Sequence, residues 1–159
     1  MVPLDGIRRV LFGHFTIPDD GDPRAGEKVV VCGYPIDHSD GLILLDTGIA
    51  EGHEEVEDLY HPVRRPLDDA LATAGVTTDD VRIVVNRHLH PDHCGGNPRF
   101  PDRPIFAQQV ECDAAHRDED YPIVGLYDFA DARYELRGGE ANVAKGIRVV
   151  PTPGHTPGH

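Results

Sequence analysis

The sequence predicts an α/β fold in which helices pack on a sheet, and three observations lead to this expectation. Short runs rich in β-branched apolar residues indicate buried strands within residues 28–35 and 81–85. Between these runs, apolar side chains recur at helical spacing from Leu67 to Ala74. The chain has 159 residues, and single domains usually have about 100–200 residues. We therefore expect a single layered α/β domain.

The first part of the chain predicts three strands. Residues 7–12 and 28–35 form the first two, and a loop rich in Pro, Gly and Asp joins them over residues 16–26. The third strand covers residues 41–46, and the polar residues 37–40 before it favour a turn. We expect these strands to pair antiparallel.

A helix and another strand are predicted next. The helix covers residues 65–74, with Pro66 in its favourable first turn and Gly75 at its end. The strand covers residues 81–85 and ends just before a cluster of histidines. Ligand sites in layered α/β folds favour the carboxyl ends of strands, so this edge is the expected position of a site.

The rest of the chain predicts fewer regular elements. Residues 105–107 and 147–150 are predicted as strands, and residues 109–116 as a helix. Residues 118–139 are expected to be irregular. They carry three aromatic side chains, for which loop packing is favoured over contact with a substrate: Tyr121, Phe129 and Tyr134.

The loop after the strand at residues 81–85 predicts a metal centre. Side chains two residues apart in an extended segment point the same way, so His88 and His90 can bind one metal while Leu89 faces the core. The turn beyond carries Asp92 and His93, a carboxylate and an imidazole that suit a second divalent ion. Neutral imidazole is a common zinc ligand, and a catalytic zinc usually keeps three protein ligands and a water.

Two later segments support this centre. Gly95 and Gly96 follow the loop directly, and glycines permit positive φ and a close approach of backbone, as a loop around metals would require. Residues 151–159 contain two more histidines, and the first of them, His155, is a further candidate ligand.

Two motifs give the sequence a resemblance to the metallo-beta-lactamase superfamily of hydrolases: His88-Leu89-His90-Pro91-Asp92-His93 and Pro153-Gly154-His155-Thr156-Pro157-Gly158-His159. Residues 88–97 and 104–111 are similar to the N-acyl homoserine lactonase group in particular, and the resemblance extends from Val29 to the end. It implies a four-layer αββα sandwich, of which this chain would supply the N-terminal half to two-thirds. Residues 1–159 would then form a single metallo-beta-lactamase-like domain, truncated at the C-terminus.

The resemblance also implies how the ligands are divided. The first metal would have three protein ligands and the second two, and both ions are expected to be zinc. These ligands are His88, His90 and His155 for the first metal, and Asp92 and His93 for the second. His155 is preferred to His159 because the family uses the first His of its motif. The family's bridging Asp and last His lie further downstream, which is why we expect a truncated chain.

Two neighbours of the predicted ligands also follow from the resemblance. The family has a supporting Asp behind the metal loop at the position of Asp46. Arg87 departs from the family, which more often has a small hydroxyl residue before the first His. We expect this cation either to alter the charge of the site or to point outward.

The implied reaction is the opening of a lactone ring, as in an N-acyl homoserine lactone, by a metal-bound hydroxide. Asp92 is the candidate for carrying a proton to the leaving alkoxide. Two alternatives stay open. A thioester hydrolase of the glyoxalase II type shares these motifs, although the lysine-poor sequence gives little sign of the basic cluster that glutathione needs. An inactive truncated fragment could bind one metal, because three imidazoles form a complete set of zinc ligands.

Composition limits the expected partners and location. The net charge of −13 argues against nucleic acid, which requires a basic surface. No apolar run approaches the roughly 20 residues of a transmembrane helix, so no membrane partner is expected. Three cysteines without CxxC spacing favour a reducing cytoplasm, and Cys94 is interpreted as a space-filling residue. A small ester or lactone is the expected partner, and an uncovered sheet face would favour an oligomer.

Overall fold

The computed structural model describes residues 4–118, 121 and 123–159. Strands and short helices follow one another along this part of the chain, in agreement with the predicted α/β class. The elements are β1 (Val10–Thr16), β2 (Lys28–Ile36), β3 (Leu42–Leu45), α1 (Glu54–Tyr60), β4 (Val63–Arg64), α2 (Leu67–Ala72), β5 (Val81–Val85), β6 (Pro104–Gln108), α3 (Gln109–Ala115), β7 (Arg133–Arg137), β8 (Ala141–Ala144) and β9 (Ile147–Val149). In these described residues, no helix combines the length and the apolar surface needed to cross a bilayer.

Seven of these strands form one sheet, in the order β4-β1-β2-β3-β5-β6-β7. The pairs β1–β2 and β2–β3 are antiparallel, which confirms the prediction for the first strands. The pairs β3–β5, β5–β6 and β6–β7 are parallel, because the connections between them carry the chain back across the sheet. The carboxyl ends of β3, β5 and β6 therefore lie at one edge.

The main hydrophobic core lies between the sheet and the three helices. Leu44 of β3 and Leu71 of α2 are fully buried there. Val56 of α1 and Ala115 of α3 belong to the same cluster. All three helices therefore cover the same face of the sheet.

The opposite face of the sheet carries a smaller apolar cluster of Ile43, Val85, Phe106 and Val143. Val143 belongs to β8, which pairs antiparallel with β9 in a two-stranded hairpin. The described residues thus form a helix layer and a sheet layer, with a hairpin on the other face of the sheet. This arrangement agrees with one half of the expected αββα sandwich.

The predicted first strand is wrong in its position. It was expected at residues 7–12, but β1 runs from Val10 to Thr16. Gly13 allows this extension, because a Cβ at this position would lie 2.1 Å from the carbonyl oxygen of Val63 in β4. Pairing of β1 with the edge strand β4 continues the strand beyond Phe12.

The predicted helix at residues 65–74 is shorter than expected. Pro66 has an extended ψ of 144° and precedes the first turn, so α2 begins at Leu67 and ends at Ala72. The strands at β2, β3, β5, β6 and β9 and the helix α3 lie close to their predicted positions.

Four elements were not predicted: β4, β7, β8 and α1. Residues 118–139 were expected to be irregular, yet β7 lies among them. Its side chains are exposed or half-buried and show no clear apolar alternation, and parallel pairing with β6 makes it a strand. Helix α1 was missed because its apolar residues do not share a buried face: Val56 is buried, whereas Leu59 is 49% exposed.

Replacing Leu44 by Ala should lower the free energy of unfolding by about 2–5 kcal/mol, because its fully buried side chain would leave a cavity. Leu11→Ala is the matched control in β1, where the side chain is 41% exposed. Its expected effect is about 0.5 kcal/mol or less. Urea unfolding followed by circular dichroism measures both variants, and equal losses would contradict a core on the helical face.

Candidate metal centre

The histidine loop leaves the sheet at the carboxyl end of β5, as the sequence predicts. Val85, the last residue of β5, is aligned with Leu45 at the end of β3. The amides of His93 and Cys94 both donate to the carbonyl of His90, at 2.9 and 3.0 Å, so the loop turns back on itself. This turn brings the side chains of the motif together beside the end of β3.

Three imidazoles form the centre: His88, His90 and His155. Their donor nitrogens lie within 4.8 Å of one another, and His90 Nδ1 lies 3.2 Å from His155 Nε2. Two imidazoles on one tetrahedral zinc, each bound at about 2.0–2.1 Å, have nitrogens about 3.3 Å apart. His88 is 2% exposed while His155 is exposed, so the cluster reaches from the interior to solvent. This set of donors fits a divalent metal such as zinc.

The structure brings Asp92 and His93 to the side of this cluster. The ring centroid of His93 lies 3.9 Å from that of His88, and His93 Nε2 lies 3.1 Å from Asp92 Oδ2. The carboxylate and the imidazole therefore contact each other, as two ligands of a second ion would. In the described chain, the compact group of donor atoms comprises the three histidines alone. A ligand role for Asp92 and His93 stays a prediction.

Asp46 contacts His93 on the side away from Asp92. Its Oδ2 accepts a hydrogen bond from His93 Nδ1 at 2.8 Å, and its Oδ1 accepts one from the backbone N–H of Arg87 at 3.0 Å. Asp46 is fully buried, and its φ of 60° lies in the left-handed region that Asp adopts more readily than most residues. A carboxylate on Nδ1 orients the imidazole and directs Nε2 toward Asp92. The contact agrees with the supporting role that the resemblance implies.

Arg87 lies against Asp46 and does not point outward. Its Nε donates to Asp46 Oδ2, and its Nη2 donates to the carbonyl of Cys32 at 3.2 Å. The ion pair compensates part of the charge that the buried carboxylate would otherwise carry alone. Arg87 therefore places a positive charge beneath the histidine loop.

Burial and neighbouring charges determine the protonation of the imidazoles. Burial, reinforced by repulsion from His93 and His90, lowers the pKa of His88 to about 2. Burial and the proximity of His155 also lower the pKa of His90. Burial opposes protonation of His93 too, but hydrogen bonds to its two carboxylate neighbours outweigh it and raise the pKa to about 9. His88 is therefore neutral at neutral pH, the form in which imidazole binds metals.

Gly95 and Gly96 let the histidine loop pack against the backbone that follows β3. A Cβ on Gly95 would lie 2.0 Å from the amide nitrogen of Ala50, and a Cβ on Gly96 would lie 2.6 Å from the carbonyl oxygen of Thr47. The predicted close approach of backbone is confirmed. The predicted positive φ is wrong, because neither residue has one. Steric room is what requires glycine here.

Three buried polar residues behind the loop were not predicted: Thr47, Asn86 and Asn97. Asn97 Nδ2 donates to Asn86 Oδ1 at 2.8 Å, and Thr47 Oγ1 donates to Asn97 Oδ1 at 2.9 Å. Thr47 Oγ1 also accepts from the amide of Gly96 at 3.1 Å. Asn86 and Thr47 come just after buried strands, and this position was the available signal in the sequence.

Of the three aromatic residues noted in the sequence, Tyr121 contacts the centre. Its ring centroid lies 4.8 Å from that of His90, and the residue is 4% exposed. Tyr134 accepts a hydrogen bond from Asn97, and Phe129 packs against the main core. The expectation of loop packing describes Phe129 and Tyr134, whereas Tyr121 packs and also lies against a candidate ligand.

His159 and Cys94 lie outside the group of metal-donor atoms. His159 Nδ1 lies 3.2 Å from the hydroxyl of Thr152. Cys94 is fully buried, its Sγ donates to the carbonyl of Leu89 at 3.2 Å, and burial raises the pKa of its thiol well above the usual value. The thiol is therefore protonated and fills space beneath the loop.

A helix-covered sheet, with a histidine cluster at the carboxyl ends of its parallel strands, defines an α/β protein whose imidazoles could hold a metal ion. The family sequence model described as Metallo-beta-lactamase superfamily matches residues 29–159 of this chain. The chain belongs to the metallo-beta-lactamase superfamily. The matched residues include both histidine motifs.

Similar proteins include enzymes of one group. The chain is 29% identical over 163 residues to an N-acyl homoserine lactonase of Bacillus sp, covering 95% of this chain and 64% of that protein. It is 30% identical over 138 residues to an N-acyl homoserine lactonase of Bacillus cereus, covering 79% of this chain and 54% of that protein. The chain thus spans less than two thirds of the length of these curated relatives.

Solved structures show the same similarity. An N-acyl homoserine lactone hydrolase with N-hexanoyl-L-homoserine bound at its catalytic metal centre superimposes with a TM-score of 0.80 and 27% identity, covering 96% of this chain and 67% of that one. A Bacillus thuringiensis AiiA mutant with N-decanoyl-L-homoserine bound gives the same TM-score, identity and coverage. The fold of the described residues is therefore that of the corresponding part of these hydrolases.

Gly95→Ala should destabilise the loop, because its new Cβ would lie 2.0 Å from the backbone of Ala50. We expect a loss of about 1–3 kcal/mol in the free energy of unfolding. Gly125→Ala is the control, since nothing lies within 4 Å of a Cβ at that position. Urea unfolding measures both variants. A midpoint for G95A equal to that of G125A would show that the two backbone segments are not in close contact.

Proposed function

We propose that this protein is a metal-dependent hydrolase that opens the lactone ring of an N-acyl homoserine lactone or a closely similar ester. The observation that carries the proposal is the donor group of His88, His90 and His155 at the carboxyl edge of the sheet. Relatives named N-acyl homoserine lactonase cover 95% of the chain, and two similar structures hold acyl homoserines. These relatives favour the lactone over the thioester of the glyoxalase II alternative.

Five side chains are the proposed metal ligands. The first ion would be bound by the three imidazoles, and the second by a carboxylate and an imidazole; these are His88, His90 and His155, and Asp92 with His93. Zinc is the proposed ion, because a set of imidazoles at tetrahedral spacing suits it. The contact between Asp92 and His93 supports their joint use, and the ring of His93 lies against that of His88.

The residues of the chain position and prepare this centre. When bound, a divalent metal supplies Lewis-acid polarisation of the scissile carbonyl and a coordinated water of lowered pKa. His88 binds as a neutral donor because burial disfavours its protonation. Asp46 fixes the orientation of His93 through Nδ1. His155 is exposed, so a substrate can approach from its side.

Asp92 is the proposed proton carrier. Ring opening forms a bond between the water oxygen and the carbonyl carbon, and it breaks the bond between that carbon and the ring oxygen. The water loses a proton, and the departing alkoxide needs one. The carboxylate of Asp92 is 24% exposed and contacts His93, so it lies at the surface of the centre where it can accept and return this proton.

A small apolar cavity lies beside Asp92. Its lining combines aromatic and aliphatic side chains with two prolines: Phe15, Ile49, Val56, Tyr60, Pro62 and Pro91. Its volume is about 30 Å³, which is room for one or two water molecules, so it could hold only a methyl-sized part of an acyl group.

The purified chain should bind zinc and open N-hexanoyl homoserine lactone, with turnover lost on chelation and restored by Zn²⁺. His88→Ala should weaken zinc binding by at least about tenfold, because it removes a buried donor. His116→Ala, which changes a histidine outside the donor group, is the control and should bind normally. Zinc per chain and acid release are measured in the same samples. Zinc binding without ring opening would favour the inactive-fragment alternative, and preferential hydrolysis of a glutathione thioester would contradict the proposed substrate.

Asp92→Asn should lower kcat for ring opening by about 10²-fold or more, because an amide cannot accept and return a proton. Assays in excess zinc, with bound metal counted, separate this effect from loss of a ligand. Asp69→Asn, at an exposed position in α2, is the matched control and should leave kcat unchanged. Full metal content together with full turnover in D92N would refute the role of Asp92.

A further inference from the structure

Glu111 is a carboxylate buried beneath the two histidine loops. It lies in the first turn of α3 and is 1% exposed. Charged side chains are seldom buried this deeply unless hydrogen bonds or an opposite charge compensate them. Helix α3 was predicted from the sequence, but a role for this side chain was not.

One oxygen of Glu111 contacts the first histidine loop. Oε1 accepts a hydrogen bond from the backbone N–H of Leu89 at 2.9 Å, and Leu89 lies between His88 and His90. The same oxygen accepts a hydrogen bond from the hydroxyl of Tyr121 at 2.8 Å. Because the Tyr121 ring lies against His90, Oε1 is linked to this loop both directly and through an aromatic side chain.

The other oxygen of Glu111 contacts the second histidine loop. Oε2 accepts a hydrogen bond from the backbone N–H of Gly158 at 3.0 Å, shortly after His155. A Cβ on Gly158 would lie 2.4 Å from the Cβ of Glu111. The loop can therefore pack directly on α3 only because this residue has no side chain.

The three donors to Glu111 are all neutral, and both of its oxygens act as acceptors. In the described chain, no Lys or Arg forms an ion pair with it, whereas Asp46 is paired with Arg87. A buried carboxylate without a cation costs free energy. Glu111 lies where the two ligand-bearing loops meet, which points to a role in holding those loops. A metal bound by the histidines would supply the nearby positive charge.

We propose that Glu111 is a positioning residue that sets the spacing between His155 and the pair His88 and His90, and thereby the affinity and geometry of the metal they bind. The inference rests on the proposed metal-binding role of these histidines. A single helix accepts hydrogen bonds from both loops, so their relative position is established before the metal arrives. Ligands held in place by such contacts lose less conformational freedom on binding.

Glu111→Gln tests this role with almost no change of volume. The carboxylate has two acceptor oxygens, one for each loop. A Gln has one acceptor oxygen, and its NH₂ group would face an N–H donor of one loop in either orientation. The substitution therefore breaks one of the two links and leaves the other.

Zinc affinity is measured by competition with a chelator of known affinity. Glu111→Gln should weaken binding by about 10–100-fold, the usual effect of removing a partner behind metal ligands. Asp113→Asn makes the same change at an exposed position of α3 and should stay within about twofold of the unaltered chain. Tyr121→Phe removes one donor but keeps both backbone links, so its affinity should lie between these two.

Cobalt binding distinguishes positioning from a merely structural role. If Glu111 only stabilised the fold, folded E111Q would give the visible Co²⁺ absorption spectrum of the unaltered chain. We expect the bands of E111Q to shift in position and intensity, because His155 would no longer lie at its native distance. The spectra are recorded at a temperature at which circular dichroism shows both chains to be folded.

Amide hydrogen exchange tests the contacts without any variant. In the metal-free unaltered chain, the N–H groups of Leu89 and Gly158 should both exchange slowly. Fast exchange at either amide would overturn the inference, and so would an E111Q chain with unchanged zinc affinity and an unchanged cobalt spectrum. An unaltered chain that binds no zinc would instead overturn the proposed function, so the two failures can be told apart.

Discussion

A buried carboxylate joins the centre of the sheet to the histidine loop. Asp46 follows β3, and it accepts hydrogen bonds from Arg87 and His93, which follow β5. Because β3 and β5 are parallel neighbours, the residues that leave their carboxyl ends are brought together by the sheet itself. The packing of the sheet on its helices thus determines where Asp46 lies, and Asp46 determines how the ring of His93 is oriented.

Two buried carboxylates support the centre, and their surroundings differ. Asp46 is paired with Arg87, so its charge is compensated by a side chain of the same chain. Glu111 receives three neutral donors and contacts both histidine loops. Buried polar groups of this kind are costly unless every partner is in place, so they specify one arrangement of the loops around them. These contacts behind the imidazoles fix the positions of the rings.

Local sequence patterns predicted the elements that local interactions determine. The strand β5 is rich in β-branched apolar residues, and the alternate histidines after it were predicted to converge and do so. Strand β7 was missed because it depends on pairing with β6 and not on its own apolar pattern. The need for glycine at Gly95 was recognised for two reasons, and the structure supports only the steric one.

By itself, the sequence determined which side chains could bind a metal, the strand that precedes the first pair of histidines, and the family of the chain. These are properties of single side chains and of short segments. The resemblance implied that His155 joins His88 and His90, and the structure places His155 beside His90, which is 65 residues earlier. Only the tertiary structure decided that Glu111 lies beneath both loops. Distances between remote segments result from the packing of the whole sheet and its helices, and no short pattern of residues encodes them.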